Sequence, residues 1–295
     1  ITAGTLYLGK DENSRGVLDG CLKLDGMIPG ETPREFKLTV KNIGNLKAYL
    51  NGLSASVKES DSKFMANAIR ATCVGPGGEK FYSGSLLALD NNAVPTESEI
   101  ALEPGEEKVL VFTFQLDRRA GNWYKGKSIE VSLTVYAGQN PGQGLKTNVL
   151  VAGKNLQAAV DQAAPGTVIL VPAGEYGKLQ IKNSDIAIKA KDVVYDTVLA
   201  GVVFGGQVHE VSLQGFTVDG AGREELLVIP GSARNISLKD NIFQNAGSGA
   251  NLAGCVQPGR SAGLVVQRND FSSVAGVSGG EERTGTGKFA KPGDQ

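Results

Sequence analysis

Few residues in this sequence could carry out histidine or cysteine chemistry. There is one histidine, His209, and there are three cysteines, Cys21, Cys73 and Cys255. A Ser-His-Asp triad or a Cys-His pair would need His209 itself, and an H-E-x-x-H zinc helix needs two histidines. Four-cysteine zinc sites and C-x-x-C redox pairs are absent from the sequence. The sequence therefore predicts no metal site and no cofactor, and the single histidine is the main reason to expect a protein that is not an enzyme.

The remaining candidates for catalysis are acidic residues that follow short apolar strands in the second half of the chain. Three of them lie near equivalent turns with arginines close in sequence, namely Asp219, Asp240 and Asp270 with Arg223, Arg234 and Arg268. Carbohydrate-cleaving enzymes use clustered carboxylates of this kind, with or without calcium. Turns after strands also prefer Asp. We expect turn residues here, and a carbohydrate-active protein is the alternative.

An aromatic pair, Trp123-Tyr124, lies in a polar stretch flanked by glycines. Such a pair is a candidate surface contact, because a sugar ring or a neighbouring subunit can stack on it. The alternative is that one ring anchors the loop to the core of its domain.

The composition describes the setting of these residues. The chain has 295 residues, which predicts two domains. Its net charge of −1 gives no basic surface for nucleic acid, and no apolar run is long enough to span a membrane. The chain starts at Ile1 within a strand-like pattern, so we expect an exported protein whose signal peptide has been removed. In that setting Cys21 and Cys73 are a candidate disulfide, and three buried thiols are the alternative.

The first half, residues 1–139, shows apolar and polar residues alternating with period two between Pro-Gly turns. Clear runs are Phe36–Val40, Leu110–Leu116 and Ile129–Val135. Strands that bury one face need a second sheet to cover them. The pattern predicts an antiparallel β-sandwich, and the Gly- and Gln-rich residues 140–154 are interpreted as a linker.

The second half, residues 155–276, contains a repeat. After a predicted helix at 155–164 that ends in Pro-Gly, equivalent triplets begin at Ile186, Val211, Ile236 and Leu264, 25, 25 and 28 residues apart. Units of this size bury their apolar face only by stacking. The repeat predicts a right-handed parallel β-helix of about four or five coils. Apolar positions five residues beyond the triplets are predicted to stack, at Val193, Val218, Phe243 and Phe271. Asn241 and Asn269 are expected to form a hydrogen-bonded ladder, and residues 277–295 to be a Gly-rich tail or cap.

Several blocks of the first half resemble the TasA/camelysin family of exported bacterial matrix-fibre proteins. They are Ile1–Leu8, Ile28–Glu31 with Phe36–Gly44, Leu102–Glu106, Ala120–Gly126 and Val135–Gln139. The resemblance covers residues 1–139 and implies a jelly-roll sandwich that polymerises by donor-strand exchange. Residues 155–276 resemble pectin-lyase-like β-helices, an architecture that many functions share.

The resemblance gives the N-terminal strand a role in assembly. The predicted donor strand consists of Ile1, Thr2, Ala3, Gly4, Thr5, Leu6, Tyr7 and Leu8. A strand on a polar leader can pair with the open sheet edge of another chain. The alternative is that it packs as the first strand of its own sandwich.

We therefore expect an extracellular filament subunit whose partners are identical subunits and matrix polysaccharide or neighbouring filaments. The β-helix would be displayed on the fibre. The alternative is a carbohydrate-active or carbohydrate-binding surface protein in which the sandwich is the anchor.

Overall fold

The computed structural model describes residues 8–9, 21–58, 60, 63–142, 145, 147–221, 226–245 and 262–273. The chain divides into two compact units, Ile1–Val149 and Leu150–Gln295. The all-β expectation is confirmed: the first unit contains antiparallel sheets and the second a parallel solenoid, with almost no helix. No helix in the described part of the chain is both long and apolar enough to cross a membrane.

The first unit is built from two antiparallel sheets. One has the strand order β1-β3-β8-β5-β6 and the other β2-β9-β4-β7. In chain order the elements are β1 (Leu8–Gly9), β2 (Cys21–Asp25), β3 (Arg34–Asn42), β4 (Ala48–Val57), β5 (Ile69–Val74), β6 (Lys80–Ser85), α1 (Leu86–Leu89), β7 (Val94–Leu102), β8 (Glu107–Leu116) and β9 (Ser128–Gly138). Short 3₁₀ turns occupy Lys63–Asn67 and Asn122–Tyr124.

The alternation of apolar and polar residues in the sequence identifies the side chains that form the core of this unit. Along β8 the residues Leu110, Phe112, Phe114 and Leu116 are at most 1 % exposed, and the residues between them face outward. The three runs with period two lie in β3, β8 and β9. A strand with this alternation buries one face against a covering sheet, which is the arrangement the sequence predicts.

The predicted linker, 140–154, has contacts with both units. The Gly142 N–H donates to Glu99, and Thr147 Oγ1 donates to the Ala93 carbonyl. Farther along, β10 (Val149–Val151) joins the first sheet of the solenoid, and Ala152 is buried in its core. The boundary between the units lies after Val149.

The second unit is a parallel β-solenoid with three sheets. The strand orders are β10-β11-β14-β17-β20-β22, β12-β15-β18-β21-β23 and β13-β16-β19. The elements after β10 are α2 (Leu156–Asp161), β11 (Thr167–Val171), β12 (Gly174–Tyr176), β13 (Leu179–Ile181), β14 (Ile186–Ala190), β15 (Thr197–Leu199), β16 (Val202–Phe204), β17 (His209–Gln214), β18 (Thr217–Asp219), β19 (Leu227–Val228), β20 (Arg234–Lys239), β21 (Ile242–Gln244), β22 (Val265–Gln267) and β23 (Asp270–Ser273).

The described residues form about three complete coils. Each coil contributes one strand to each sheet, as in β11–β13, β14–β16 and β17–β19. Two further rungs follow, each with two described strands. The predicted helix is α2, whose Leu156 and Val160 are buried in the solenoid core. The Asn155 side chain accepts from the Ala158 N–H at its start, which is a common way to satisfy a helix N-terminus.

The 25-residue repeat is confirmed as the register of the first sheet. Ile186 pairs with Val211 and Val211 with Ile236, and the Ser237–Val265 pair aligns Ile236 with Leu264. Of the predicted stacking positions, Val218 pairs with Phe243, whose ring stacks on Phe271 at 4.8 Å between centroids. The placement of Val193 in this stack is wrong, because residues 191–196 form an additional loop and Leu199 is the partner of Val218.

Candidate functional site

Three polar residues form a column at one corner of the solenoid. Asp185, Glu210 and Asn235 each immediately precede the first inward-facing residue of their rung. All three have left-handed backbone, with φ of 56°, 54° and 52°. Non-glycine residues seldom adopt this conformation, and Asn and Asp adopt it more readily than Glu. Gly263 follows in the same column, where a side chain would collide with the Asn235 amide. The three side chains are exposed.

Hydrogen bonds between coils hold this corner in place. The Asp185 N–H donates to the His209 carbonyl at 2.9 Å, and its own carbonyl accepts from the Gly166 N–H at 2.6 Å. The Asn235 N–H donates to the Ala262 carbonyl at 2.8 Å. The Asn235 amide also donates to Glu210 Oε1 at 2.6 Å, which orients the Glu210 carboxylate along the column. The polar column is therefore fixed by the backbone ladder and not only by side-chain contacts.

The column borders an open groove of about 240 Å³ on the outer face of the first sheet. The floor is formed by small outward-facing side chains that pair in register, Val168, Ala187, Ser212 and Ser237. Two positions farther along the strands, Lys189 and Lys239 lie on the same outer face. The groove runs across four rungs, with Asp185 and Glu210 on one side of the floor and the two lysines on the other.

Sequence reasoning missed this column, although a signal was present. Asp185, Glu210 and Asn235 recur every 25 residues, which is the period of the apolar triplets. The acidic residues singled out from the sequence follow the apolar triplets, whereas these three come directly before them. His209 and Arg234 form the adjacent register pair and do not line the groove.

The acidic residues singled out from the sequence have structural partners. Asp240 is fully buried, and its carboxylate accepts from Gln214 and pairs with Arg268, with Arg268 Nε 2.7 Å from Asp240 Oδ1. Asp219 accepts from Gln244, Asn245 and the Ala221 N–H. These contacts agree with the expectation that both are turn residues.

Of the other four residues in that set, the structure describes Asp270, Arg234 and Arg268. Asp270 begins β23 and its N–H donates to the Asn241 carbonyl, and Arg234 begins β20. Arg268 is partly buried and is the partner of Asp240. Arg223 lies outside the described residues.

The expected asparagine ladder is confirmed. Asn241 Nδ2 donates to Asn269 Oδ1 and to the Leu213 carbonyl, both at 3.0 Å. Asn241 Oδ1 accepts from the Phe216 N–H, and Asn269 Nδ2 donates to the Leu238 carbonyl. Both residues are buried. The ladder satisfies backbone groups at a buried corner and does not form a binding site.

Within the aromatic pair of the sandwich, Tyr124 is part of the core and is not a surface contact. Tyr124 is buried, its ring packs 5.1 Å from that of Phe64, and its hydroxyl donates to Asn67. Tyr124 therefore anchors the loop, which is the alternative considered from the sequence. The Trp123 side chain lies outside the described part.

Cys73 is a buried thiol on β5 with no disulfide among the described side chains, and burial raises its pKa to about 12. Its pairing with Cys21, whose side chain is not described, stays a prediction, as does the state of Cys255.

The predicted donor strand is mostly outside the described residues. Only its last residue, Leu8, is described, and it pairs with Asn42 on β3 of the same chain. Ile1–Tyr7 are not described, so the donor strand stays a prediction. Within the described ranges no group of three or more His, Cys, Asp or Glu residues could hold a metal ion.

Comparisons with known proteins give one weak match. No family model matches the chain, and no curated protein matches it. The resemblance to the TasA/camelysin family is therefore not supported. One solved structure is similar, the catalytic domain of a GH87 α-1,3-glucanase variant in complex with tetrasaccharides, with 14 % identity and a TM-score of 0.21. The match covers 90 % of this chain, which spans about half (54 %) of the length of that structure.

The expectation that the protein is not an enzyme is corrected by this match, because the matched structure is a catalytic domain of a glycoside hydrolase. Having a single histidine does not exclude carboxylate-based glycoside hydrolysis, which needs no histidine. At this TM-score the match does not assign an activity to the chain.

Proposed function

We propose that the solenoid binds an extended polysaccharide along the groove beside Asp185, Glu210 and Asn235. The observation that carries the proposal is the repetition of polar side chains on successive rungs beside a floor of small residues. This is the alternative that the sequence analysis left open, a carbohydrate-related surface protein. An extracellular location belongs to the same proposal, because matrix polysaccharides are found there.

The spacing of the rungs suits a repeating ligand. Neighbouring strands lie about 4.8 Å apart, which is comparable with the length of one pyranose residue in an extended glycan. Each rung at the corner can therefore meet one sugar unit. Carboxylate and amide groups accept and donate the hydrogen bonds that sugar hydroxyls need, and small floor residues such as Ala187 and Ser212 leave room for the rings.

The charges around the floor favour a neutral glycan. Asp185 and Glu210 lie on one side, and Lys189 and Lys239 on the other, so these four groups have no net charge. A uronate-rich chain would bring its carboxylates next to Asp185 and Glu210, and like charges at short range are unfavourable. We therefore expect neutral glucans or related chains to bind better than polyuronates.

Filling the floor of the groove tests the proposal. Ser212→Trp places a large ring where the glycan would lie, and Val203→Trp places the same ring on an outward position of β16, on a different sheet. Binding to soluble glucans and polyuronates is measured by affinity electrophoresis and calorimetry. We expect Val203→Trp to bind like the wild type and Ser212→Trp to lose binding. Equal binding by both variants, or no binding to any glycan of the panel by the wild type, would contradict the proposal.

A second candidate function is hydrolysis of the bound glycan by Asp185 and Glu210. These carboxylates lie on adjacent rungs at one side of the groove. Retaining glycosidases hold two carboxyl groups about 5–5.5 Å apart, and the strand spacing places these two residues about 4.8 Å apart at the backbone. Release of reducing ends from the glycan that binds best tests this candidate. We expect Asp185→Asn and Glu210→Gln each to abolish release, and binding without any release by the wild type would rule hydrolysis out.

Filament assembly through residues 1–8 is a separate prediction of the sequence resemblance, and neither the structure nor the comparisons support it. Negative-stain microscopy of the full chain tests it directly. Filaments that disappear when residues 1–8 are deleted would support the prediction. Their absence from the full chain, or their persistence in the deletion variant, would contradict it.

A further inference from the structure

A lysine and an aspartate form a close buried pair inside the sandwich. Lys63 begins the 3₁₀ turn Lys63–Asn67, and Asp90 directly follows α1. Lys63 Nζ lies 2.9 Å from Asp90 Oδ2, and the two side chains are 10 % and 5 % exposed. Removing two charges from water costs several kcal/mol for each ion. The pair therefore holds its two reactive groups in contact at a place that little water reaches.

The carboxyl group of Asp90 is held on its other side as well. Asp90 Oδ1 accepts from the Val57 N–H at 3.0 Å and from the Asn91 amide at 3.1 Å. The backbone around it is fixed, because Asp90 bridges to Ala55 of β4 and the Asn91 N–H donates to the Ala55 carbonyl. One oxygen of the carboxyl group thus faces two N–H donors, and the other faces a primary amine.

This arrangement has the parts of an acyl-transfer site. N–H donors directed at one oxygen stabilise the negative charge that develops there when a nucleophile attacks the carbon. A nucleophile held at contact distance needs no diffusional encounter, which lowers the barrier to its attack. The Lys63 amine contacts Oδ2, the oxygen bonded to the carbon that the amine would attack.

We propose that Lys63 and Asp90 condense to an intramolecular isopeptide bond. A proton passes from the Lys63 ammonium group to Asp90 Oδ2, which gives an amine and a carboxylic acid. The Nζ lone pair attacks Cγ, and Oδ1 carries the negative charge while it accepts from Val57 and Asn91. Oδ2 then leaves as water with a proton from Nζ. One C–N bond forms, one C–O bond breaks, and no oxidant, reductant or further reactant is needed.

The bond would link two parts of the sandwich that are distant in sequence. It closes a covalent loop that contains β5, β6 and α1. A cross-link of this kind restricts the unfolded chain, as a disulfide does, and reduction does not break it. The inference is independent of the glycan groove, which lies in the other unit.

Mass spectrometry of the denatured full-length protein tests the proposal. We expect the wild type to be one water lighter than the mass calculated from its sequence, and its digest to contain the Lys63 and Asp90 peptides joined by an amide. Lys63→Arg cannot form the bond, so its mass should equal the calculated value. Lys58→Arg is the matched control, because Lys58 lies 2.7 Å from Glu130 but is exposed. That variant should keep the loss of one water.

Three results would overturn the proposal. The first is a wild-type mass equal to the calculated value, which would show a buried ion pair only. The second is a loss of water that persists in Lys63→Arg, which would place the dehydration elsewhere. The third is recovery of Lys63 and Asp90 in separate linear peptides from a digest of the lighter protein. The measurement is made on denatured wild type, so it stays decisive if a variant fails to fold.

Discussion

At the residue scale, Asn241 shows how a solenoid corner satisfies its buried backbone. Its side chain accepts one hydrogen bond and donates two, and all its partners belong to neighbouring rungs. The residue is 1 % exposed. Water cannot reach this position to replace these bonds. Loss of the Asn241 amide would therefore remove a hydrogen-bond partner from the buried Phe216 N–H and from the Leu213 carbonyl.

We predict that Asn241→Ala destabilises the solenoid by about 2–4 kcal/mol, because two or more buried polar groups lose a partner. Urea unfolding followed by circular dichroism measures the change. Gln180→Ala is the control, since Gln180 is exposed on β13 and a surface change of this kind shifts stability by about 0.5 kcal/mol or less. Equal effects of the two substitutions would show that the ladder does not contribute to stability.

The Asp219 carboxylate predicts a dependence of stability on pH. Burial acts to raise its pKa, but hydrogen bonds from Gln244, the Ala221 N–H and Asn245 outweigh burial and lower it. A carboxyl group with a lowered pKa in the folded state stabilises the fold above its unfolded pKa. That stabilisation disappears as the pH falls through the folded value.

We therefore expect the wild type to exceed Asp219→Ala in unfolding free energy by a constant amount at neutral pH. The difference should shrink only below the ordinary range of an aspartate pKa. Unfolding curves of both proteins, recorded from about pH 7 down to about pH 2, measure this difference in unfolding free energy. A difference that does not change with pH would contradict the prediction.

Sequence reasoning at this scale succeeded where a residue type had one strong preference. Asn241 and Asn269 were identifiable because a buried polar amide at a repeated corner must bond to its equivalents. Asp185 and Glu210 were missed because an exposed position before the first apolar residue of a rung accepts many residue types. The partners of Asp240 could not be predicted, since Arg268 reaches it from the next rung.

At the element scale, the corner column combines a binding surface with an unfavourable backbone conformation. Glu210 has a φ of 54°, and a left-handed conformation costs an L-residue other than glycine about 1–2 kcal/mol. Glycine would adopt it without that cost. Binding sites often keep residues that reduce the stability of the fold. A glutamate with this backbone conformation is explained if its carboxylate contacts a ligand.

We predict that Glu210→Gly leaves stability unchanged or raises it by up to about 1 kcal/mol, because relief of strain exceeds the added entropy of the unfolded chain. Glycan affinity should fall in the same variant. His209→Gly is the matched control at the adjacent, extended position, and it should destabilise by about 0.5–1 kcal/mol. Urea unfolding and calorimetric titration provide both readouts. Loss of stability in Glu210→Gly would remove the argument that strain is retained for binding.

Elements could be predicted where a pattern in the sequence itself determines which side chains are buried. The period-two runs located β3, β8 and β9 because alternation decides which face of a strand is buried. The 25-residue repeat gave the register of β14, β17, β20 and β22 to the residue. The placement of Val193 failed because the loop at 191–196 lengthens the turn between β14 and β15 while the coil keeps its 25 residues, so the period of the triplets does not reveal it.

At the scale of the whole molecule, each unit has its own core and its own kind of chemistry. Among the described residues, the buried core of the solenoid runs in sequence from Ala152 to Phe243. The groove and its acidic column belong to the solenoid, as do Lys189 and Lys239 on the same face of its first sheet. The buried Lys63–Asp90 pair belongs to the sandwich. Length alone predicted two domains, but the position of the groove depended on side chains that meet only after the coils stack.

We predict that the fragments 1–149 and 150–295 fold separately and that the solenoid fragment keeps the full glycan affinity. The boundary follows the division of the chain after Val149, and it leaves α2 in place on the first coil. Circular dichroism and urea unfolding should show a cooperative transition for each fragment. Calorimetry should give the same dissociation constant for 150–295 as for the full chain and no binding for 1–149. A folded solenoid fragment that fails to bind would show that the sandwich contributes to the site, and glycan binding by 1–149 would place the site outside the groove.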